Sequence, residues 1–163
     1  GKFGFSVSHT TRRPRFGEVS GVDYIFVDQA EFSNLVEQDA FLESALVHGH
    51  YYGTSFQSIN DVTNKGQICV LDVDIQGVET LRSIRGFNGL FVWIGPPSME
   101  VLAKRLKQRD TEDAVSIKLR LDEAIREMTS AATKGYFDYT IINDHLERAF
   151  AELETIVTSN MIR

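Results

Sequence analysis

Three arginines stand within four positions of the segment "SHTTRRPR" (residues 8–15), namely Arg12, Arg13 and Arg15. The chain that carries them is acidic, with a formal net charge of -6. Guanidinium forks match the oxygens of a phosphate and give bidentate, charge-assisted hydrogen bonds. Arg12 and Arg15 flank Pro14, whose fixed φ stiffens the segment. Positive charge concentrated on an acidic chain points to a small anionic ligand. A solvated basic turn is the alternative. Tyr24, Tyr51 and Tyr52 offer phenol donors to such an anion if folding brings them beside the arginines; otherwise they are strand packing.

Carboxylates follow. Glu43 interrupts the apolar run "AFLESALV". There it either faces water or accepts hydrogen bonds from a specific group. Two adjacent N–H donors, as guanine presents on its N1/N2 edge, would suit it. Asp72 and Asp74 in "LDVDIQG" stand at i, i+2 at the end of an apolar run, and the spacing places both on one side of a strand. Like charges this close need a metal, an arginine or a ligand N–H to compensate them, unless they simply cap the strand end. An aspartate at a strand end that helps hold Mg²⁺ recurs in phosphoryl-transfer sites. Farther on, Arg105 and Arg109 lie one helical turn apart, followed by Lys118 and Arg120. They read either as a surface stripe or as arginines that close over a transferring phosphoryl group.

Other chemistries find no support. His9, His48, His50 and His145 form no metal-ligand spacing with Cys69. No nucleophile elbow occurs. No G-x-x-x-x-G-K-[ST] phosphate loop occurs among the 163 residues either.

The elements that must position these groups can be read from periodicity. Residues 3–7 and 24–27 read as short strands, and 29–38 as an amphipathic helix with Phe32, Leu35 and Val36 on one face. Residues 40–55 read as strands around a turn at Gly49, after which Ser55 caps a helix that runs to about Lys65 and ends at Gly66. The runs 68–75, 89–95 and 139–144 resemble parallel strands buried on both faces. Helices are expected over 76–85, over 98–109 behind the cap Ser98, over 113–132 and over 146–159. Buried strands alternating with helices imply an α/β fold with a doubly wound parallel sheet, whose ligands sit beyond the carboxyl ends of the strands. Asp72, Asp74, Gly95 and Asn143 fall at or near such ends.

Composition sets the bounds. The 163 residues are 42% hydrophobic and 25% charged, which suits one globular domain. The acidic balance argues against nucleic acid as the main partner. No apolar run is long enough to span a bilayer and no signal-peptide pattern opens the chain. One cysteine, Cys69, allows no internal disulfide and suggests a reducing compartment, the cytoplasm. The start "GKFGFSV" enters a strand almost at once, and upstream sequence is expected.

The stretches "FGFSVSHTTRRPRFGEVSGVDYIFV", "FLESALVHGHYYGTS", "ICVLDVDIQGV" and "FDYTIIND", in this order, resemble the guanylate kinases over essentially all 163 residues. That resemblance implies a P-loop-kinase-like parallel sheet core with helices on both faces, a small GMP-binding β-region (about 9–66) and a helical lid (about 100–122). It implies transfer of a phosphoryl group from ATP to GMP with Mg²⁺, in a monomer. By it, Arg12, Arg15, Tyr24 and Tyr52 hold the GMP phosphate. Ser8, Glu43 and Thr54 read guanine. Asp72 and Asp74 share base recognition and the metal region, their separate roles left open. Arg109 and Arg120 act on the transferring phosphates, and Asn143 and Arg109 lie near ATP; Arg105, one helical turn from Arg109, is expected to act beside it. The family's first strand and phosphate loop precede the segment that opens this chain, so these 163 residues alone are expected to hold GMP without turning it over. Scaffold domains of the same fold that bind protein partners instead of catalysing are the alternative, as is an inactive fragment. Such scaffold domains typically lack the guanine-reading serine and the second aspartate, whereas Ser8 and the Asp72/Asp74 pair are kept here.

Overall fold

The computed structural model describes residues 1–108 and 114–161, which divide into two compact units, Gly1–Arg85 and Gly86–Arg163. The first holds, in chain order, β1 (Phe3–Phe5), β2 (His9–Thr10), β3 (Ile25–Phe26), α1 (Gln29–Glu37), β4 (Phe41–Val47), β5 (His50–Ser55), α2 (Phe56–Thr63), β6 (Ile68–Val70) and α3 (Ile75–Ser83). The second holds β7 (Val92–Gly95), α4 (Met99–Gln108), α5 (Ala114–Thr133), β8 (Tyr139–Ile142) and α6 (Leu146–Met161).

A four-stranded sheet in the order β3–β2–β5–β4 dominates the first unit. β4 and β5 form an antiparallel hairpin in which Val47 pairs with His50. The two turn residues, His48 at φ 50° and Gly49 at φ 80°, both adopt the left-handed conformation that matches strand twist in such turns. The ladder slips between Phe41 and Glu43. This bulge sends Phe41 to one face, where it stacks on Phe32 of α1 at 4.6 Å and meets His9 edge-on at 5.4 Å. Glu43 is sent to the other. Tyr51 joins the Phe32 face, with ring centroids 5.4 Å apart. Asp28 caps α1 by accepting from the Glu31 N–H at 2.8 Å, and Ser55 caps α2 by accepting from Ser58 N–H at 3.1 Å, as its sequence position predicts.

β1 and β6 pair in parallel, Phe3 opposite Ile68 and Phe5 opposite Val70. Here the sequence expectation needs correction. The run 68–75 is a strand only over Ile68–Val70, and α3 begins at Ile75 with Asp74 as its N-cap. The strand is not buried on both faces, because α2 packs on one side of the pair while Phe3, Phe5, Ile68 and Val70 are exposed on the other.

In the second unit β7 and β8 are parallel, from Val92 opposite Tyr139 to Gly95 opposite Ile142. Ile141 is fully buried, with Phe91, Leu106 and Ala149 around this core. Ser98 caps α4 through the Val101 N–H at 3.3 Å. Among the described residues no helix is long and apolar enough to cross a membrane.

Candidate functional site

Strand alternation decides which side chains meet. Tyr52 and Thr54 are two apart on β5 and share a face; Thr10 is opposite Tyr52, and Glu43 is opposite Thr54. This face lies opposite the aromatic packing on α1, and its polar groups gather at two ends.

At one end stands Arg12. Its N–H donates to Thr10 Oγ1 at 3.1 Å, which fixes the backbone as the chain leaves β2. Its guanidinium lies over the Tyr24 ring at 5.2 Å and the Phe26 ring at 5.7 Å. Tyr24 and Tyr52 approach edge to face at 5.9 Å, so folding does bring these two tyrosines beside the arginine. Tyr51 does not join them, and is strand packing. Burial, then the charge of Asp72, raises the pKa of Tyr24 and keeps it a neutral donor.

The residue that sequence reasoning missed is Glu18. The Arg12 Nη1 and Nη2 groups donate to its two carboxylate oxygens, each at 2.9 Å, and the Arg15 N–H donates to Oε2 at 2.6 Å. A turn closed by the Glu18 N–H donating to the Arg15 carbonyl at 3.1 Å returns the carboxylate onto both arginines. The pairing holds the Glu18 carboxyl down at about 2 and raises the guanidinium further above its usual range. The only sequence signal is an acidic residue three positions after Arg15 and six after Arg12. The side chains of Arg13 and Arg15 are exposed.

At the other end, Glu43 is 7% exposed and accepts from the Thr54 N–H at 2.9 Å through Oε1. Burial raises its pKa, Thr54 opposes that shift, and the Asp74 charge adds to it. Thr54 is 1% exposed, and its Oγ1 lies beside the Glu43 carboxylate with no other hydrogen-bond partner among the described residues. Gly77 makes room for the carboxylate: a Cβ there would lie 2.9 Å from Glu43 Oε2. Ser8 is half-buried just before β2, with its carbonyl accepting from the Ile25 N–H at 2.9 Å.

The structure also separates the two aspartates. They are not a matched pair on one strand. Asp74 Oδ1 accepts from the Gly77 N–H at 2.9 Å, which caps α3, and its Oδ2 accepts from the side-chain Gln76 Nε2 at 2.9 Å, so both oxygens are engaged. Its charge is felt at Glu43, that of Asp72 at Tyr24. Asp72 has no hydrogen-bond partner among the described residues. The residue as a whole is exposed, but the surrounding protein desolvates the carboxyl and raises its pKa. No group of three or more potential metal ligands occurs among the described residues.

In the second unit the Asn143 N–H donates to the Gly95 carbonyl at 2.8 Å, at the carboxyl ends of β7 and β8. Arg105 of α4 reaches the same end, where Nη2 donates to the Asp144 carbonyl at 3.4 Å. Arg120 lies on α5, and Arg109 falls outside the described residues.

A buried carboxylate beside a buried hydroxyl can accept from a planar donor edge. An arginine framed by two tyrosines on the same sheet face can take an anion. Together they fit an elongated ligand with a heterocycle at one end and a phosphate at the other.

Known proteins resemble the chain along nearly its whole length. The guanylate kinase family model matches residues 1–160. Human guanylate kinase is 42% identical over 161 residues, covering 99% of this chain and 81% of that protein. The guanylate kinase of Schizosaccharomyces pombe is 42% identical over 159 residues, covering 98% of this chain and 78% of that one. Guanylate kinase 1 of rice is 41% identical over 157 residues, but the chain spans only 41% of its length. The crystal structure of guanylate kinase from Anaplasma phagocytophilum superposes with a TM-score of 0.82 at 30% identity, covering 99% of this chain and 78% of that one. The sequence, the fold and these matches place the chain in the guanylate kinase family.

Proposed function

We propose that the protein transfers the γ-phosphoryl group of ATP to GMP, giving ADP and GDP, and that the first unit holds the GMP. The observation that carries this reading is the division of one sheet face into a carboxylate end, Glu43 with Thr54, and an arginine–tyrosine end, Arg12 with Tyr24 and Tyr52. Guanine's N1–H and 2-amino group donate to Glu43, with Ser8 and Thr54 completing the base site. Asp74, which caps α3 and acts electrostatically on Glu43, belongs to this end. Arg12, Arg15, Tyr24 and Tyr52 hold the phosphate. A phosphate oxygen of GMP attacks the γ-phosphorus as the bond to the β,γ-bridging oxygen breaks and its electrons leave with ADP. Positioning supplies much of such catalysis. The family resemblance supports reading Arg105, Arg109 and Arg120, in the lid range of about 100–122, as arginines for the transferring phosphates, and Asn143 as a residue for ATP.

Mg²⁺ fits this residue set as a guest of ATP. Mg²⁺ generally takes one or two carboxylates plus phosphates and waters, and Asp72, which acts electrostatically on Tyr24 and has no hydrogen-bond partner among the described residues, would be the carboxylate to hold it. When bound, the ion offsets charge on the transferring oxygens. The protein is read as a cytoplasmic monomer. An ADP-release assay with ATP and each nucleoside monophosphate tests the reading. Turnover with GMP far above AMP is expected; equal rates, or no response to GMP, would overturn it.

A further inference from the structure

We propose that Glu18 is a positioning residue for the monophosphate, holding the Arg12 guanidinium so that one defined edge meets the phosphate. This rests on the reading of Arg12 as a phosphate ligand.

Arg12 has five N–H donors in a plane. One Nη1 hydrogen donates to Glu18 Oε2 and one Nη2 hydrogen to Oε1, both at 2.9 Å. The other Nη1 hydrogen donates to the Arg13 carbonyl at 2.9 Å. These bonds occupy the end of the fork and one of its corners. What remains is the edge formed by the Nε hydrogen and the second Nη2 hydrogen, which point the same way. Two parallel donors are what a phosphate takes in bidentate contact. The ring of Tyr24 at 5.2 Å and that of Phe26 at 5.7 Å set the plane of the group. The Tyr52 phenol also hydrogen-bonds this guanidinium, so a phosphate arriving at the edge meets the phenol with it, and the phenol O–H can turn to the phosphate as a further donor.

Glu18 does a second thing. Its Oε2 also accepts from the Arg15 N–H at 2.6 Å, so one carboxylate ties the side chain of the first arginine to the backbone of the second. Arg12 and Glu18 side chains are 12% and 18% exposed, far less than Arg13 and Arg15 beside them. An arginine carries several rotatable bonds, and freezing them on binding weakens affinity. Glu18 freezes them beforehand. It also balances the Arg12 charge, so Arg12 contributes direction and Arg15 contributes net attraction.

The alternative is competition, in which the phosphate must displace Glu18 from Arg12. The two ideas predict opposite signs. Calorimetry on the whole protein measures GMP and guanosine binding to the unaltered chain and to Glu18→Ala, Glu18→Gln, Arg12→Ala and Glu18→Ala/Arg12→Ala variants. Positioning predicts that Glu18→Ala weakens GMP by about tenfold or more and leaves guanosine binding unchanged. Glu18→Gln, which keeps one acceptor, falls between. In the Arg12→Ala background the Glu18 change costs clearly less than it does alone, and what remains is the part that runs through the Arg15 N–H. Equal loss of GMP and guanosine would mean that Glu18 only supports the fold, and tighter GMP binding would mean competition; either overturns the proposal. If Arg12→Ala weakens GMP while Glu18→Ala does not, the proposal alone fails. If Arg12→Ala leaves GMP affinity unaltered, the phosphate reading of Arg12 fails first.

Discussion

Replacing Glu43 by glutamine tests the base site most directly, because the change is nearly isosteric and alters only charge and donor pattern. In the structure Oε1 accepts from the Thr54 N–H at 2.9 Å, while Oε2 points towards Gly77. The glutamine side chain can keep the first bond through its carbonyl and places an NH₂ where the second oxygen stood. Guanine's paired donors then meet one donor and one acceptor. Hydrogen bonds to charged groups contribute about 1.5–3 kcal/mol each. One such bond is lost and the other becomes a neutral one, which amounts to about 1.5–3 kcal/mol or more, or roughly one to two powers of ten in the preference for GMP over AMP. Adenine, with an acceptor at N1, gains from the new NH₂ group. The same variant makes a prediction about stability. Burial raises the folded-state pKa of Glu43, so its contribution is fully present below the ordinary glutamate pKa and is lost as pH rises through the shifted value. Glu43→Gln removes that loss. Its unfolding temperature should exceed the parent's by more at about pH 7 than at about pH 4. GMP and AMP competition, together with thermal unfolding at the two pH values, measures both effects. Unchanged nucleotide preference with a fully folded variant would refute Glu43 as the reader of guanine.

Arg15→Ala should weaken GMP by about 2 kcal/mol or more through loss of a charge-assisted bond, while Arg13→Ala changes it far less; equal losses in calorimetry would contradict the assignment. Asp74→Ala should lower stability by about 1 kcal/mol by stripping the cap from α3. Asp74→Asn should lower it less, and denaturant midpoints distinguish the two. His9 is held below its ordinary pKa by burial, opposed by the Glu31 charge, and its Nδ1 has no hydrogen-bond partner among the described residues. Its contribution to stability is therefore present above the ordinary histidine pKa and is lost as pH falls through that value towards the lowered one. His9→Phe should flatten the fall in unfolding temperature between about pH 7 and about pH 5.

Local signals were legible because neighbouring residues produce them. Ser55 and Ser98 announce helix starts by offering an oxygen to an N–H three residues on, and the hairpin at His48–Gly49 follows from alternation on either side of a turn. The arginines, Tyr24, Tyr52, Glu43 and the aspartates were all legible as residues able to handle phosphate or a polar base. Their order along the chain pointed to the family.

What tertiary structure alone decided is which groups face one another. A bulge of one residue between Phe41 and Glu43 sends the ring to α1 and the carboxylate to the opposite face, and nothing in the run "AFLESALV" marks it. The pairing of Arg12 with Glu18 depends on a turn bringing back a residue six positions away, so the charge read from sequence as three free arginines is partly balanced in space. Asp72 and Asp74 share a residue type and a spacing of two, but the helix starts directly after the second of them. An N-terminus of a helix binds the nearest carboxylate through its unpaired N–H groups. Asp74 therefore becomes a cap, and Asp72 accepts no hydrogen bond among the described residues. Residue types limit the chemistry a chain can perform, whereas partners across strands and turns are set by register, and register is a property of the folded sheet.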